Sequence, residues 1–189
     1  MNFRVELQPI VDGKGNIWGY EVLFRGSFPN HIFFQVANPK LEIEIFKREL
    51  EIVKDFDTIL TFNLSPITLK EFGKEVKKIL RKYENIFIEL TEIPHRDDIK
   101  VIKDLGNRIF LDDFLKGSSS IERLLKLKPY GIKIEKNFMD LINIDKIKGM
   151  VKEIIVEKIE SRKDFEELKG KDLLFQGFLF KEKFITLAC

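Results

Sequence analysis

Residues 58–113 read TILTFNLSPITLKEFGKEVKKILRKYENIFIELTEIPHRDDIKVIKDLGNRIFLDD, and this stretch alternates between two periodicities. Thr58 to Asn63 is an apolar strand-like run. Ser65-Pro66 then offers an N-cap followed by proline in the first helical turn, and Leu69, Phe72, Val76, Leu80 and Tyr83 keep helical spacing. Asn85 to Glu89 is a second strand, a helix is expected around Asp97 to Leu105, and Arg108 to Asp112 is a third strand. Strands that alternate with helices form parallel sheets, because each crossover returns the chain to the same end.

The same alternation extends in both directions. Upstream, Asn38-Pro39 starts a helix that runs to about Phe56, with Phe46, Leu50 and Val53 on one face. Before it, Phe3 to Ile10 and Ile17 to Phe24 flank the turn-rich Val11 to Asn16, which reads as a β-hairpin. Downstream, Ser119 or Ser120 caps a helix bearing Ile121, Leu124 and Leu125, and Gly131 to Ile134 is a strand. One helix is expected from about Phe138 to Lys152, then a strand from Glu153 to Val156. Ser161 caps a short helix with Phe165 and Leu168, Asp172 to Phe175 is the eighth strand, and the tail Gly177 to Phe184 mixes apolar and polar residues. Eight strands of this kind predict an α/β fold: a modified TIM-like (β/α)8 barrel with an antiparallel first strand, formed by residues 1–189 as a single domain. With 189 residues the chain is short for a barrel, for which about 200–250 is usual. An open α/β sheet is the alternative.

Composition excludes several classes. An apolar share of 44%, a charged share of 34% and a net charge of +2 describe an ordinary soluble globular protein with no demand for a nucleic-acid polymer or an anionic membrane. No apolar run reaches ~18 residues, so no transmembrane helix is expected. One cysteine, Cys189, cannot form an internal disulfide, and a cytoplasmic setting is expected. His31 and His95 follow no ligand spacing. Trp18 and the phenylalanines read as core, and Lys74, Lys77, Lys78, Arg81 and Lys82 as a solvated helix face.

The chemistry lies in how the strands end. Glu21, Asn63, Glu89, the pair Asp112-Asp113, Lys133, Glu157 and Gln176 each follow apolar strand residues, on seven consecutive strands. Polar residues commonly end strands, so any one of these alone reads as a solvated end. In a barrel all of them meet on the face where barrel enzymes do their chemistry. So many carboxylates would repel one another, and cations would relieve the repulsion. Oxygen ligands without Cys or His suit Mg²⁺ or Mn²⁺, and two adjacent aspartates can bridge two ions that activate water and clamp a phosphate.

Seven motifs, in order, resemble those of the EAL domain family. They are Gln8-Pro9-Ile10 with Gly19-Tyr20-Glu21-Val22-Leu23-Phe24-Arg25; Asn63-Leu64-Ser65; Glu89-Leu90-Thr91-Glu92; Asp112-Asp113-Phe114; Ile132-Lys133-Ile134-Glu135; Glu157-Lys158-Ile159-Glu160; and Gln176-Gly177-Phe178-Leu179-Phe180. Each is weak alone; seven in order, over residues 8 to 180, are specific. The resemblance implies metal-dependent hydrolysis of the second messenger cyclic di-GMP to linear pGpG. It implies that Glu21, Asn63, Glu89 and Asp112 hold one Mg²⁺ or Mn²⁺ and that Asp112 bridges to a second ion, bound with Asp113 and Glu157. Lys133 would orient the attacking water, with Glu157 as base and Glu21 in the catalytic set. Gln8, Arg25, Glu160 and Gln176 resemble substrate-contacting positions, and Glu92 a loop anchor. The resemblance also allows for a homodimer.

Departures from the pattern point to weakened activity. Where the family has Gly-Thr-Gly-Tyr-Ser-Ser, this chain has Leu115-Lys116-Gly117-Ser118-Ser119-Ser120, and Lys158 replaces a glycine, where it could compete for Glu157. Connections are shortened between Glu21 and Asn63 and between Phe138 and Glu157. The alternative function is therefore a catalytically degenerate domain acting as a cyclic di-GMP receptor or protein-interaction module. An unrelated metal-dependent barrel hydrolase is the third reading.

Overall fold

The computed structural model describes residues 4–26, 38–90, 99–116 and 120–188. Its strands are β1 (Arg4–Val11), β2 (Ile17–Arg25), β3 (Ile59–Leu64), β4 (Ile86–Leu90), β5 (Ile109–Leu111), β6 (Gly131–Glu135), β7 (Glu153–Glu157), β8 (Leu174–Phe175) and β9 (Ile185–Ala188). Its α-helices are α1 (Pro39–Val53), α2 (Pro66–Lys82), α3 (Ile99–Lys103), α4 (Ser120–Leu127), α5 (Ile144–Lys148) and α6 (Arg162–Leu168). From β2 to β8 each strand pairs in parallel with the next. β1 runs antiparallel to β2, and meets β8 at Val11 and Phe175, which closes the ring of eight. The short chain therefore forms the barrel and not the open sheet.

Local chemistry sets the boundaries. Asp12 Oδ1 accepts from the backbone N–H of Lys14 at 2.8 Å and of Asn16 at 2.9 Å, which folds the β1–β2 turn. Asn38 and Ser65 cap α1 and α2 through their side chains, each followed by proline. The buried carboxylate of Glu42 on α1 accepts from the Ser65 N–H at 2.7 Å and from the Thr68 hydroxyl, so one helix also caps its neighbour.

Two expectations are corrected. The eight expected strands are joined by a ninth: beyond the tail, whose Phe178–Lys183 form a 3₁₀ segment, β9 lies antiparallel on β1 from Leu7↔Ile185 to Arg4↔Ala188, covering an edge that the two-residue β8 leaves unpaired. The expected helix over 138–152 is a 3₁₀ turn at Lys136–Leu141 followed by the short α5. Asn143 interrupts it, because its side chain accepts from the Lys146 N–H and starts a new helix there.

The two-residue period of the strands sorts the core. Outward residues such as Leu60, Phe62, Ile88, Ile109, Ile134 and Val156 join the helices in one large cluster. Inward residues Ile10, Phe87, Phe110, Ile155 and Leu174 form a separate plug, with Trp18, Ile59 and Tyr130 against it. The Phe110 ring sits edge-on to Trp18, Phe87 and Tyr130, in space that Gly131 leaves open: a Cβ there would lie 2.3 Å from the ring. The plug fixes the floor of the barrel. Two residues further along the same strands, on the same inward face, come Glu89, Asp112, Glu157 and Gln176. Gln8 takes the matching place on the reversed β1.

One buried acid lies behind this face. Glu49 on α1 is 6% exposed, and burial, with Glu21 acting in the same direction and Arg25 against it, pushes its carboxyl up to about 8. An unfolded glutamate releases its proton near pH 4.5, so between 4.5 and about 8 the folded chain holds the extra proton. The stability this gives is full below 4.5 and is lost as pH rises through about 8. Glu49→Gln should therefore flatten the decline between pH 5 and 8 and raise unfolding free energy at pH 8 by roughly 2–4 kcal/mol. Urea titrations of both proteins at the two pH values check this.

Candidate active site

At the centre of the polar layer stands Lys133, 1% exposed. Its Nζ lies 2.7 Å from Glu89 Oε2, 3.0 Å from Glu21 Oε2 and 3.0 Å from Glu157 Oε1. β6 delivers this ammonium from the middle of the ring, and β2, β4 and β7 deliver the carboxylates. The acids are held by donors from β3 and from the exit of β8. Asn63 Nδ2 donates to Glu21 Oε1 at 2.7 Å, Gln176 Nε2 donates to Glu21 Oε2 at 2.6 Å, and the Thr61 hydroxyl donates to Glu89 Oε1 at 2.5 Å.

Crowding perturbs these groups in different directions. Burial pushes Asp112 up to about 7, helped by Glu157, Glu21 and Asp113 and opposed by Lys133. Glu89 is driven well above the carboxylate range by burial, then by Glu21 and Asp112. Glu21 is also buried, yet Lys133 and the amides of Asn63 and Gln176 outweigh desolvation and hold it below its ordinary value. Burial alone would lower Lys133. Glu157, Glu21, Glu89 and Asp112 instead raise it well above the usual lysine value.

Asp112, Asp113 and Glu157 each offer a carboxylate oxygen, all within 4.8 Å of one another. Asp112 Oδ1 is buried with no hydrogen-bond partner, as is Gln176 Oε1. An all-oxygen cluster with an unsatisfied buried acceptor fits a hard divalent cation. It opens on a cavity of about 330 Å³ whose lining includes Gln8, Glu160, Gln176 and Gly177.

Of the residues singled out in the sequence, Glu21, Asn63, Glu89, Lys133, Glu157 and Gln176 come together in one bonded network. Asp112 and Asp113 stand beside it, sharing the cluster with Glu157. Gln8 and Glu160 reach the cavity. Arg25 does not line it: its guanidinium donates to Glu6 Oε1 at 2.6 Å, across the β1–β2 ladder. Glu92, His31, His95 and Cys189 lie outside the described residues.

Two residues that depart from the family pattern, Lys116 and Lys158, also line this cavity. Asp113, Leu115 and Lys158 take left-handed backbone angles, with φ of 76°, 77° and 59°, each a conformation that costs a non-glycine residue about 1 kcal/mol or more. Lys158 does not compete for Glu157; its ammonium pairs with Glu135. Lys116 Nζ lies 2.6 Å from Asp113 Oδ1 and 2.5 Å from Glu135 Oε1. Burial would raise the Glu135 carboxyl, but the two lysines hold it below its ordinary value.

Thr61 and Glu135 are site residues that sequence reasoning missed. The signal was available, since Thr61 is two residues before Asn63 on β3 and Glu135 two after Lys133 on β6, both on the inward face.

A family model described as EAL domain matches residues 1–182. The probable cyclic di-GMP phosphodiesterase PdeB of Escherichia coli (strain K12) is 28% identical over 227 residues, covering 97% of this chain and 44% of that protein. The chain thus spans less than half the length of this curated relative. Among solved structures, the PaMucR phosphodiesterase in complex with c-di-GMP superposes with a TM-score of 0.76 at 22% identity, covering 100% of this chain and 98% of the other. The FimX EAL domain from Pseudomonas aeruginosa, bound to c-di-GMP, gives a TM-score of 0.72 at 19% identity, over 93% and 88% of the two chains.

Proposed function

Because this chain belongs to the EAL domain family, we propose that it hydrolyses one phosphodiester bond of cyclic di-GMP to give linear pGpG, in a reaction that depends on Mg²⁺ or Mn²⁺. The supporting observation is the cluster of Asp112, Asp113 and Glu157 at the cavity, with Asp112 Oδ1 left unpartnered. Glu21, Asn63, Glu89 and Asp112 would hold one ion, and Asp112, Asp113 and Glu157 the other. A bound ion would supply Lewis-acid activation of the phosphodiester, and positive charge at the second position would neutralise charge on the leaving oxygen.

The chain's own groups do the remaining work. Lys133 donates toward the attacking water and fixes its direction of approach. Glu157, 3.0 Å from Lys133 Nζ and the most exposed of that ammonium's three partners, takes the water's proton. Glu21 keeps Lys133 in place and stays ionised while doing so. Gln8, Glu160 and Gln176 line the cavity and contact the substrate. Arg25 reaches a substrate phosphate only by exchanging Glu6 for it.

The relative named for cyclic di-GMP phosphodiesterase activity supports this reaction class. A cyclic di-GMP receptor without turnover is the second reading, favoured by the two lysines, Lys116 and Lys158, that line the same cavity. Purified protein incubated with cyclic di-GMP and Mn²⁺ or Mg²⁺ should release pGpG. EDTA should abolish release, and Glu21→Ala should lower the rate by at least about a hundredfold. Tight binding without product, unaffected by chelation, would support the receptor instead.

A further inference from the structure

The acid cluster is not lined by acids alone. The backbone N–H of Lys116 donates to the Asp113 carbonyl at 3.0 Å, and the left-handed angles at Asp113 and Leu115 tighten that turn. Lys116 is thereby folded back over the residue three positions before it. Its ammonium bridges Asp113 Oδ1, at 2.6 Å, and Glu135 Oε1, at 2.5 Å. Glu135 is 7% exposed, and the same Oε1 also takes the Lys158 ammonium from the loop after β7. Asp113, Lys116, Glu135 and Lys158 all line the cavity that the cluster opens on. The ammonium is therefore held by a buried anchor on one side and by an acid of the cluster on the other.

We propose that the Lys116 ammonium occupies the cation position assigned above to Asp112, Asp113 and Glu157, so that the chain takes up one divalent ion fewer than its acids could hold. This rests on the metal-dependent reading above. The Coulomb sign supports it. A dication on the same oxygen of Asp113, at the usual distance of about 2.1 Å, would sit within about 5 Å of the ammonium and be repelled by it. The ammonium already neutralises that carboxylate. Asp112 remains available to the ion held with Glu21, Asn63 and Glu89, because the Lys116 ion pairs do not involve it. Lys116 is thus a positioning residue with the charge of an ion and no Lewis acidity, and it leaves the orientation of water to Lys133.

The test counts ions. The unaltered chain, Lys116→Ala and Lys116→Arg are dialysed to equilibrium against Mn²⁺, and bound manganese per chain is measured by elemental analysis, with electron paramagnetic resonance following the titration. Lys116→Ala should bind one more Mn²⁺ than the unaltered chain, or bind its last ion at least about tenfold more tightly. Lys116→Arg, which keeps the charge, should match the unaltered chain. Lys116 is partly exposed on a loop, and Lys116→Met preserves its methylenes as a second charge-free variant, with unfolding curves verifying that each protein is folded. Equal, non-zero counts and affinities in all proteins would overturn this inference and leave the phosphodiesterase reading intact. No bound Mn²⁺ in any of them would overturn both.

Discussion

Metal-free Lys133→Met protein is expected to lose about 3–5 kcal/mol of stability at pH 8, the range for removing one partner from a buried ion pair. The cause is what remains. Glu21, Glu89 and Glu157 surround a 1% exposed ammonium, and Glu89 itself is fully buried. Without Lys133 these carboxylates face one another in a largely buried site, and in the absence of metal it is protons that relieve them. Glu89 already sits well above the carboxylate range with Lys133 present, so it takes up a proton first. A folded value raised above the unfolded one gives stability that fades as pH rises. The deficit should therefore shrink toward pH 5. Denaturant titrations in EDTA at pH 5 and 8 measure it, and added Mn²⁺ should recover more stability in the variant than in the unaltered chain. On the proposed mechanism, turnover of cyclic di-GMP should fall by about a thousandfold or more even with Mn²⁺, because Lys133 would no longer direct the water's approach. Equal stability of the two proteins at pH 8 would mean that Lys133 does not organise these acids.

That constellation was legible because strand geometry is periodic. Once Phe87, Phe110, Ile155 and Leu174 are read as inward, residues two further on must share their face, and these are Glu89, Asp112, Glu157 and Gln176. The barrel followed from the same alternation and from caps such as Ser65-Pro66. What the sequence hid depends on contacts between distant segments. Arg25 is committed to Glu6 by the register of β1 on β2, which places Arg4 opposite Arg25 and leaves Glu6 within reach on the neighbouring strand. Lys116 reaches Asp113 and Glu135 because the backbone turns left-handed at two non-glycine residues, a choice that local propensity argues against. The strand β9 is four residues long, and its partner is the first strand of the chain.

Gly177→Ala should be the most damaging single methyl addition near the site. A Cβ at this position would lie 2.2 Å from Ile159 O and 2.4 Å from Ile159 N. Both are backbone atoms, and both are already bonded: Ile159 N donates to Gln176 O at 3.1 Å, and Ile159 O accepts from Leu179 N at 3.0 Å. Neither side can yield without parting the exit of β8 from the loop that follows β7. The expected cost is about 2–4 kcal/mol, or roughly 5–15 °C in Tm. The same displacement pulls the Gln176 amide away from Glu21, to which it donates at 2.6 Å, so kcat/KM should fall by roughly a hundredfold. Gly170→Ala is the control: nothing lies within 4 Å of its Cβ position, and the variant should unfold and turn over like the unaltered chain. A Gly177→Ala protein with unchanged Tm would show that these two segments are free to separate.

The pairing of Arg4 with Ala188 brings the two extremities of the barrel side by side. A short tether between them should permit circular permutation, with new ends opened in a surface turn such as Gly13 to Gly15. It also means that a host protein could receive this domain as an insert through a single doorway. Tension or a docking event at that doorway would act first on β1, which carries Gln8 into the cavity four residues from Arg4. Mechanical input at the seam would then arrive at the wall of the cavity.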